Sequence, residues 1–229
     1  MSYTRHPVHV WDLPTRLFHW AFAACVVGAY VCVKLGGLYM DWHVRLGLAA
    51  LGLVVFRIVW GFIGPHHARF FNFVRGPRAV VAYLRGAATR GGHNPLGALS
   101  VLAMLLAIGV QAATGLFITD DIMVQGPLFG RVDESTSNLM AWVHHTNEWI
   151  MIALVALHLA AIIWYALVRR QRLVGAMITG NMPAGHLADD AISSDDGPAV
   201  WLRAIVLAAC AAGLIWWIQS LEAAASFSY

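Results

Sequence analysis

The sequence predicts an all-α integral membrane protein, and three observations predict it. Of its 229 residues, 59% are hydrophobic and 12% are charged, about half the charge of a typical soluble domain, which carries roughly 25%. Five apolar stretches are long enough to cross roughly 30 Å of hydrocarbon, which takes about 20 helical residues. Histidines stand at or inside several of these stretches, where an ionisable side chain is expensive and usually marks function.

The expected spans are 16–35, 43–63, 95–118, 141–167 and 199–219. Asp12 and Pro14 begin the first, because proline is tolerated in a helix's first turn. No small-residue cleavage site follows that run, so it reads as a retained span and not as a signal peptide. Pro65 follows the second span and Asn94-Pro95 opens the third. Asp189, Asp190, Asp195, Asp196, Gly197 and Pro198 make the stretch before the fifth polar. The expected division is therefore 1–180, a 181–198 linker, and 199–229 as a terminal helix with a short tail.

Basic residues orient the spans, since short cytoplasmic loops carry the Lys/Arg excess. The loop after the second span holds Arg69, Arg75, Arg78, Arg85 and Arg90 without a carboxylate, and the fourth span ends in Arg169, Arg170 and Arg172. The 119–140 loop has Arg131 against Asp120, Asp121, Asp133 and Glu134. The N-terminus, 64–94 and 168–198 are thus expected on the cytoplasmic side, and 36–42, 119–140 and the C-terminus on the other. The arginines also suit membrane-lipid headgroups. They carry no nucleic-acid reader motif, so nucleic acid is not an expected partner. Cys25, Cys32 and Cys210 lie in apolar runs and read as packing residues. No Cys-x-x-Cys-His occurs, which excludes covalent c-type haem attachment.

The histidine spacing points to chemistry. His144 and His158 are 14 residues apart, roughly 21 Å along a helix and about 40° around it. One helix thus offers two imidazoles from one face at two depths, a layout that suits two stacked haems. By the arginine topology, His43 pairs with His144 toward the outside and His19 with His158 toward the inside. Two imidazoles make a six-coordinate, low-spin iron fit for electron transfer. His145 lies about 100° round from His144 and out of line with His158. His66 and His67 read as loop residues, and His6, His9, His93 and His186 as surface groups. Arg16, one turn before His19, and Arg45, near His43, are candidate partners of haem propionates or of lipid phosphate. Gly28, Gly47, Gly52, Gly109 and Gly115 permit close helix approach, with Gly47 the expected haem neighbour. The ten tryptophans fall mostly at span ends, as interfacial anchoring requires.

Several motifs together resemble a known family. Val10-Trp-Asp-Leu-Pro-Thr-Arg-Leu-Phe-His-Trp20, Trp42-His43-x-Arg45-x-Gly47 and Phe56-Arg57-x-x-Trp60-Gly-Phe-x-Gly64-Pro65 are similar to the first two helices of the bacterial cytochrome b561 and nickel-iron hydrogenase b-type cytochrome family. His93-Asn-Pro-Leu-Gly97 and Thr114-Gly115-Leu-Phe117 resemble the two ends of its third helix. Val143-His144 through Leu157-His158 resembles its fourth, and Met177-Ile-Thr-Gly180 the segment after it. The resemblance covers about residues 6–180. It implies a four-helix di-haem domain, two non-covalent haem b groups and His19, His43, His144 and His158 as axial ligands of the iron. Two features depart from the family pattern: His145 stands where Glu is frequent, and a fifth helix without histidine follows the four-helix core.

The function this resemblance implies is electron transfer in the bacterial inner membrane between the quinone pool and a partner. That partner is a periplasmic c-type cytochrome, a dehydrogenase or a hydrogenase subunit, and a bound quinone is a further expected ligand. Two other readings stand beside it: a membrane superoxide:quinone oxidoreductase, and a haem-bearing anchor that only docks a partner. Quinol reduction of both haems separates the anchor from the other two, and superoxide turnover separates those from each other.

Overall fold

Hydrocarbon offers a backbone N–H or C=O no partner outside the protein, so apolar runs of this length fold as helices. The computed structural model describes residues 7–86, 92–120, 124–183, 187 and 192–226; His6, Arg90, Asp121, His186, Asp189 and Asp190 lie outside them. The fold class is all-α. In chain order the helices are α1 (Leu13–Leu35), α2 (Met40–Ile63), α3 (Phe70–Phe73), α4 (Pro77–Leu84), α5 (Pro95–Gly115), α6 (Glu134–Leu167), α7 (Leu173–Thr179) and α8 (Pro198–Ser226). Among the described residues, five helices are long and apolar enough to cross a membrane: α1, α2, α5, α6 and α8.

Several helix ends differ from the apolar limits of the sequence, α8 by running to Ser226, past 219, and hydrogen bonding explains two of them. Helix α6 starts seven residues before 141 because Asp133 caps it, accepting the Thr136 N–H at 2.9 Å and the Thr136 hydroxyl at 3.0 Å. Hydrogen bonds from Ser135 and Thr136 hold the exposed Asp133 carboxyl down to about 2. Helix α5 stops at Gly115, short of 118, because the following loop folds back on it. The N–H groups of Leu128 and Gly126 donate to the carbonyls of Leu116 and Ile118, each at 2.8 Å.

The chain forms two compact units. The first comprises Met1–Phe18, Arg57–Ala103 and Leu154–Ile205. A short antiparallel pair, β1 (Val8–His9) with β2 (Asn181–Met182), sets Val8 opposite Met182 and His9 opposite Asn181. Val10, Trp11, Ala176, Met182 and Leu187 form a small core around it. The Val10 and Trp11 N–H groups both donate to the Gly180 carbonyl, at 2.8 and 3.0 Å. Gly180 ends α7 at φ 85°, and a Cβ there would stand 2.6 Å from the His9 ring, so glycine is required.

Asp12 holds the start of α1. Its carboxylate accepts the Thr15 N–H (2.9 Å), the Thr15 hydroxyl (2.8 Å) and the Trp60 indole N–H (3.2 Å), and both Asp12 and Trp60 are 0% exposed. Residues of the polar stretch before α8 join this unit. Asp196 accepts the Leu13 N–H at 2.9 Å and pairs with His9 Nε2 at 3.0 Å, and Ser194 N–H donates to the His9 carbonyl at 2.6 Å.

Three histidines read as loop or surface groups are engaged in this unit. His67 is buried and its Nε2 lies 2.6 Å from the Ile192 carbonyl; burial pushes its imidazole below the ordinary value. The His93 ring lies 4.7 Å from that of Trp11 and 4.6 Å from that of Phe73. His9 is bonded to Asn181 and Asp196. These segments fold against one another, with His67 buried and His9 and His93 half-buried. Trp11 and Trp60 are likewise buried anchors and not interfacial ones, whereas Trp20, Trp42, Trp142 and Trp149 are exposed.

The second unit comprises His19–Phe56, Met104–Ala153 and Val206–Tyr229. Leu48, Leu116 and Ile218 form its core. Small residues bring the helices close: a Cβ at Gly28 would lie 2.9 Å from Leu46, and one at Gly52 3.0 Å from Ile215. Asn147, buried on α6, donates to the Ala107 carbonyl (2.8 Å) and Gln111 Oε1 (2.7 Å) on α5. The three cysteines are free thiols.

Asp12→Ala should lower the thermal midpoint in detergent more than Asp12→Asn. The alanine removes a cap worth about 0.5–2 kcal/mol and leaves a buried indole N–H unpaired, at about 1–3 kcal/mol; asparagine keeps an acceptor. Burial raises the Asp12 carboxyl above its ordinary value, so its ionisation costs stability as pH rises through that raised value. Asp12→Asn should remove this loss, which a midpoint-against-pH series on both proteins checks.

Candidate functional site

The second unit brings two helices together around a pair of imidazoles. His43 lies in the first turn of α2 and His144 in α6, and their ring centres are 6.3 Å apart at an interplanar angle of 78°. Each ring has its Nδ1 occupied. His43 Nδ1 donates to the Ala29 carbonyl of α1 at 2.9 Å. Thr114 Oγ1 lies 3.2 Å from His144 Nδ1 and donates its own proton back along α5, to the Val110 carbonyl at 2.8 Å. The hydroxyl oxygen therefore accepts from the His144 ring. With Nδ1 protonated and held, each ring keeps its lone pair on Nε2, the arrangement of a metal-binding histidine whose other nitrogen is fixed by an outer group. Gly115 makes room for it, since a Cβ there would lie 3.2 Å from His144 Cε1.

The separation itself is informative. With metal–nitrogen bonds of roughly 2.0–2.1 Å and about 1.1 Å from nitrogen to ring centre, two imidazoles facing one metal ion have centres roughly 6.2–6.4 Å apart. No group of three or more His, Cys, Asp or Glu able to hold a metal forms among the described residues. Two imidazoles without further protein donors leave the equatorial positions of an iron to a macrocycle, so these residues fit a haem.

The remaining candidates are placed as follows. His145 is exposed, its ring 6.0 Å from that of His144 and turned by 88°. Arg45 is exposed and lies 5.8 Å over the Trp42 ring. Gly47 is half-buried, and a Cβ there would meet nothing within 4 Å. His19, in the second unit, is half-buried on α1, with its ring 5.0 Å from that of Trp20. His158, in the first unit, is half-buried on α6. Arg16, also in the first unit, donates through one terminal nitrogen to the Ile178 carbonyl at 2.6 Å.

One residue carries a signal that motif reading passed over. Arg57, near the C-terminal end of α2, is 2% exposed. Its two terminal nitrogens have no hydrogen-bond partner among the described residues. The guanidinium lies 4.9 Å from the Phe70 ring and 5.9 Å from that of Phe73. Such stacking returns about 0.5–2 kcal/mol, against several kcal/mol for burying an unpaired charge. The sequence signal was available, since an arginine inside an apolar span calls for a partner.

Comparison with known proteins gives the family. Residues 10–180 match the family described as prokaryotic cytochrome b561. The chain is 26% identical over 214 residues to a protein of Azotobacter chroococcum mcd 1 named "Probable Ni/Fe-hydrogenase B-type cytochrome subunit", covering 76% of this chain and 87% of that one. The protein of the same name from Azotobacter vinelandii gives the same identity and coverage. That of Rhodobacter capsulatus is 25% identical, over 77% of this chain and 82% of its own. No solved structure matches the chain.

Thr114→Val should weaken haem binding at the His43–His144 pair by about 10–100-fold, the usual cost of losing an outer partner of a metal ligand. Thr114→Ser should keep it. Haem retained after detergent dialysis, measured from the Soret absorbance per chain, reads the difference.

Proposed function

The chain belongs to the prokaryotic cytochrome b561 family, and from that premise we propose that it is a di-haem cytochrome carrying electrons across the membrane between the quinone pool and a redox enzyme. The coarser part is plain: this is a multi-pass membrane protein and a b-type cytochrome of electron transfer. The observation that carries the finer reading is the His43–His144 pair, 6.3 Å apart with both Nδ1 atoms engaged.

When bound, haem supplies reversible one-electron chemistry at a six-coordinate iron. The protein's residues do the rest. In this reading His43 and His144 ligate the outer iron, and the Ala29 carbonyl and the Thr114 hydroxyl keep their rings turned toward it. His19 and His158 ligate the inner iron; this second pair rests on the sequence pattern. Gly47 gives the outer macrocycle a face without a side chain. The apolar helices would exclude water from the haem pocket, and the paired imidazoles would supply the strong field of a low-spin, electron-transfer iron.

Arg69, Arg75, Arg78 and Arg85 support a cytoplasmic 64–94 loop and N-terminus, in a bacterial inner membrane. The partner is proposed to be the small subunit of a nickel-iron hydrogenase on the outer face. The support is the name shared by the relatives. The acidic 119–140 loop would meet a basic surface on such a partner.

Purified protein should contain two non-covalent haems per chain by the pyridine haemochrome assay. His43→Ala and His144→Ala should remove one and the same centre, His19→Ala and His158→Ala the other, and His145→Ala neither. Loss of the same centre from His43→Ala and His158→Ala defeats the pairing.

In proteoliposomes, a reductant confined to one side should reduce both haems, because two stacked centres divide the roughly 30 Å of hydrocarbon into shorter gaps. His158→Ala should block reduction of the outer haem from the cytoplasmic side. An unchanged rate in that variant means that electrons do not pass through the inner centre.

A further inference from the structure

Arg57 carries a buried charge with no hydrogen-bonded counter-ion among the described residues. It is 2% exposed, and neither terminal nitrogen meets an acceptor among the described residues. The Phe70 and Phe73 rings attract a cation but supply no oxygen to the in-plane N–H donors. Asp12, the buried carboxylate of the same unit, already accepts three hydrogen bonds from Thr15 and Trp60. A guanidinium presents its donors as a rigid planar fork that matches a carboxylate. A neutral carbonyl, such as a quinone's, would take a hydrogen bond and leave the charge uncompensated. A carboxylate satisfies both needs.

Register says which carboxylate. Arg57 follows His43 by 14 residues in α2, as His158 follows His144 in α6. Each interval is roughly 21 Å along its own helix with about 40° of rotation. Arg57 therefore lies on nearly the same face of α2 as His43, one haem interval further along, and it shares its unit with His158. We propose that Arg57 is the buried anchor for a propionate carboxylate of the haem held by His158. The inference rests on the di-haem reading. Arg16, the sequence's candidate for that task, has one terminal nitrogen on the Ile178 carbonyl and a buried Nε without a hydrogen-bond partner, but it is only half-buried where Arg57 is 2% exposed.

Redox potentiometry of the purified holoprotein tests it. Reduction adds one negative charge to the haem, and a nearby cation favours the reduced form. Arg57→Gln should therefore lower the midpoint of one haem only, the one that disappears in His158→Ala. The expected shift is about tenfold in the oxidised-to-reduced ratio, about 59 mV for one electron. Arg57→Lys should restore most of it. The proposal is overturned if Arg57→Gln leaves both midpoints unchanged, shifts both alike, shifts only the other haem, or is not rescued by lysine.

Should the glutamine variant fail to fold, infrared redox-difference spectra of wild type and Arg57→Lys decide, with haem carboxylates labelled with carbon-13. A labelled carboxylate band should move when the fork becomes a point charge, and a band that stays overturns the proposal. If His158→Ala retains both haems, the ligand reading fails and the Arg57 anchor fails with it. If His158→Ala loses one haem and Arg57→Gln shifts nothing, only the anchor fails.

Discussion

A polar group that enters hydrocarbon must find its partner inside the protein, because the surrounding lipid has none to give. Much of this molecule follows from that constraint. The backbone meets it by folding into helices. Asn147 meets it with the Ala107 carbonyl and Gln111 across to α5. His43 and His144 meet it at Nδ1, through a carbonyl of α1 and a hydroxyl of α5. In each case the partner lies on a different helix. The same bonds that satisfy polar atoms therefore lock neighbouring helices in rotation and height, which holds the His43 and His144 rings 6.3 Å apart.

Height is also set at the helix ends. Asp12 caps α1 two turns before His19, and Asp133 caps α6 three turns before His144. Asn94 Oδ1 accepts the Gly97 N–H at 2.8 Å at the start of α5. An apolar helix has little in its own composition to fix its depth, since sliding one turn exchanges leucine for leucine. A cap resists that slide, because moving the helix would break its hydrogen bonds, and at the buried Asp12 it would also strand a carboxyl group among apolar side chains. Asp12 is the firmest of these points: the Trp60 indole ties the start of α1 to α2, and Asp196 and Gly180 add the chain around α7 and α8 to the same knot.

Arginine placement shows why residue type alone misdirects a reading of such a protein. Arg16 and Arg45 stand next to histidines in the sequence, which made them candidates for charge pairing. In the structure Arg16 donates to the Ile178 carbonyl of α7, and Arg45 lies over Trp42. Arg57 has no histidine neighbour in sequence, yet it is the buried one of the three. Adjacency along a helix turns a side chain about 100° per residue away from its neighbour, so Arg45, two residues after His43, leaves its face, whereas Arg57, fourteen residues after it, returns to it.

The sequence by itself determined the all-α membrane class, the five spans and the family, because hydropathy over twenty residues and ordered motifs are properties of the chain alone. It also singled out the histidines as a set, since imidazoles in apolar helices are rare enough to be noticed without coordinates. Only the tertiary structure decided what surrounds them. That the His43 and His144 rings lie 6.3 Å apart with the Ala29 carbonyl and Thr114 at their Nδ1 atoms, that His67 and Trp60 are interior, that His93 packs on Trp11 and Phe73, and that α6 begins at an Asp133 cap are contacts between side chains and distant or polar segments. Hydropathy is silent there, because it averages over residues and carries no information on which way a side chain turns or what lies across from it.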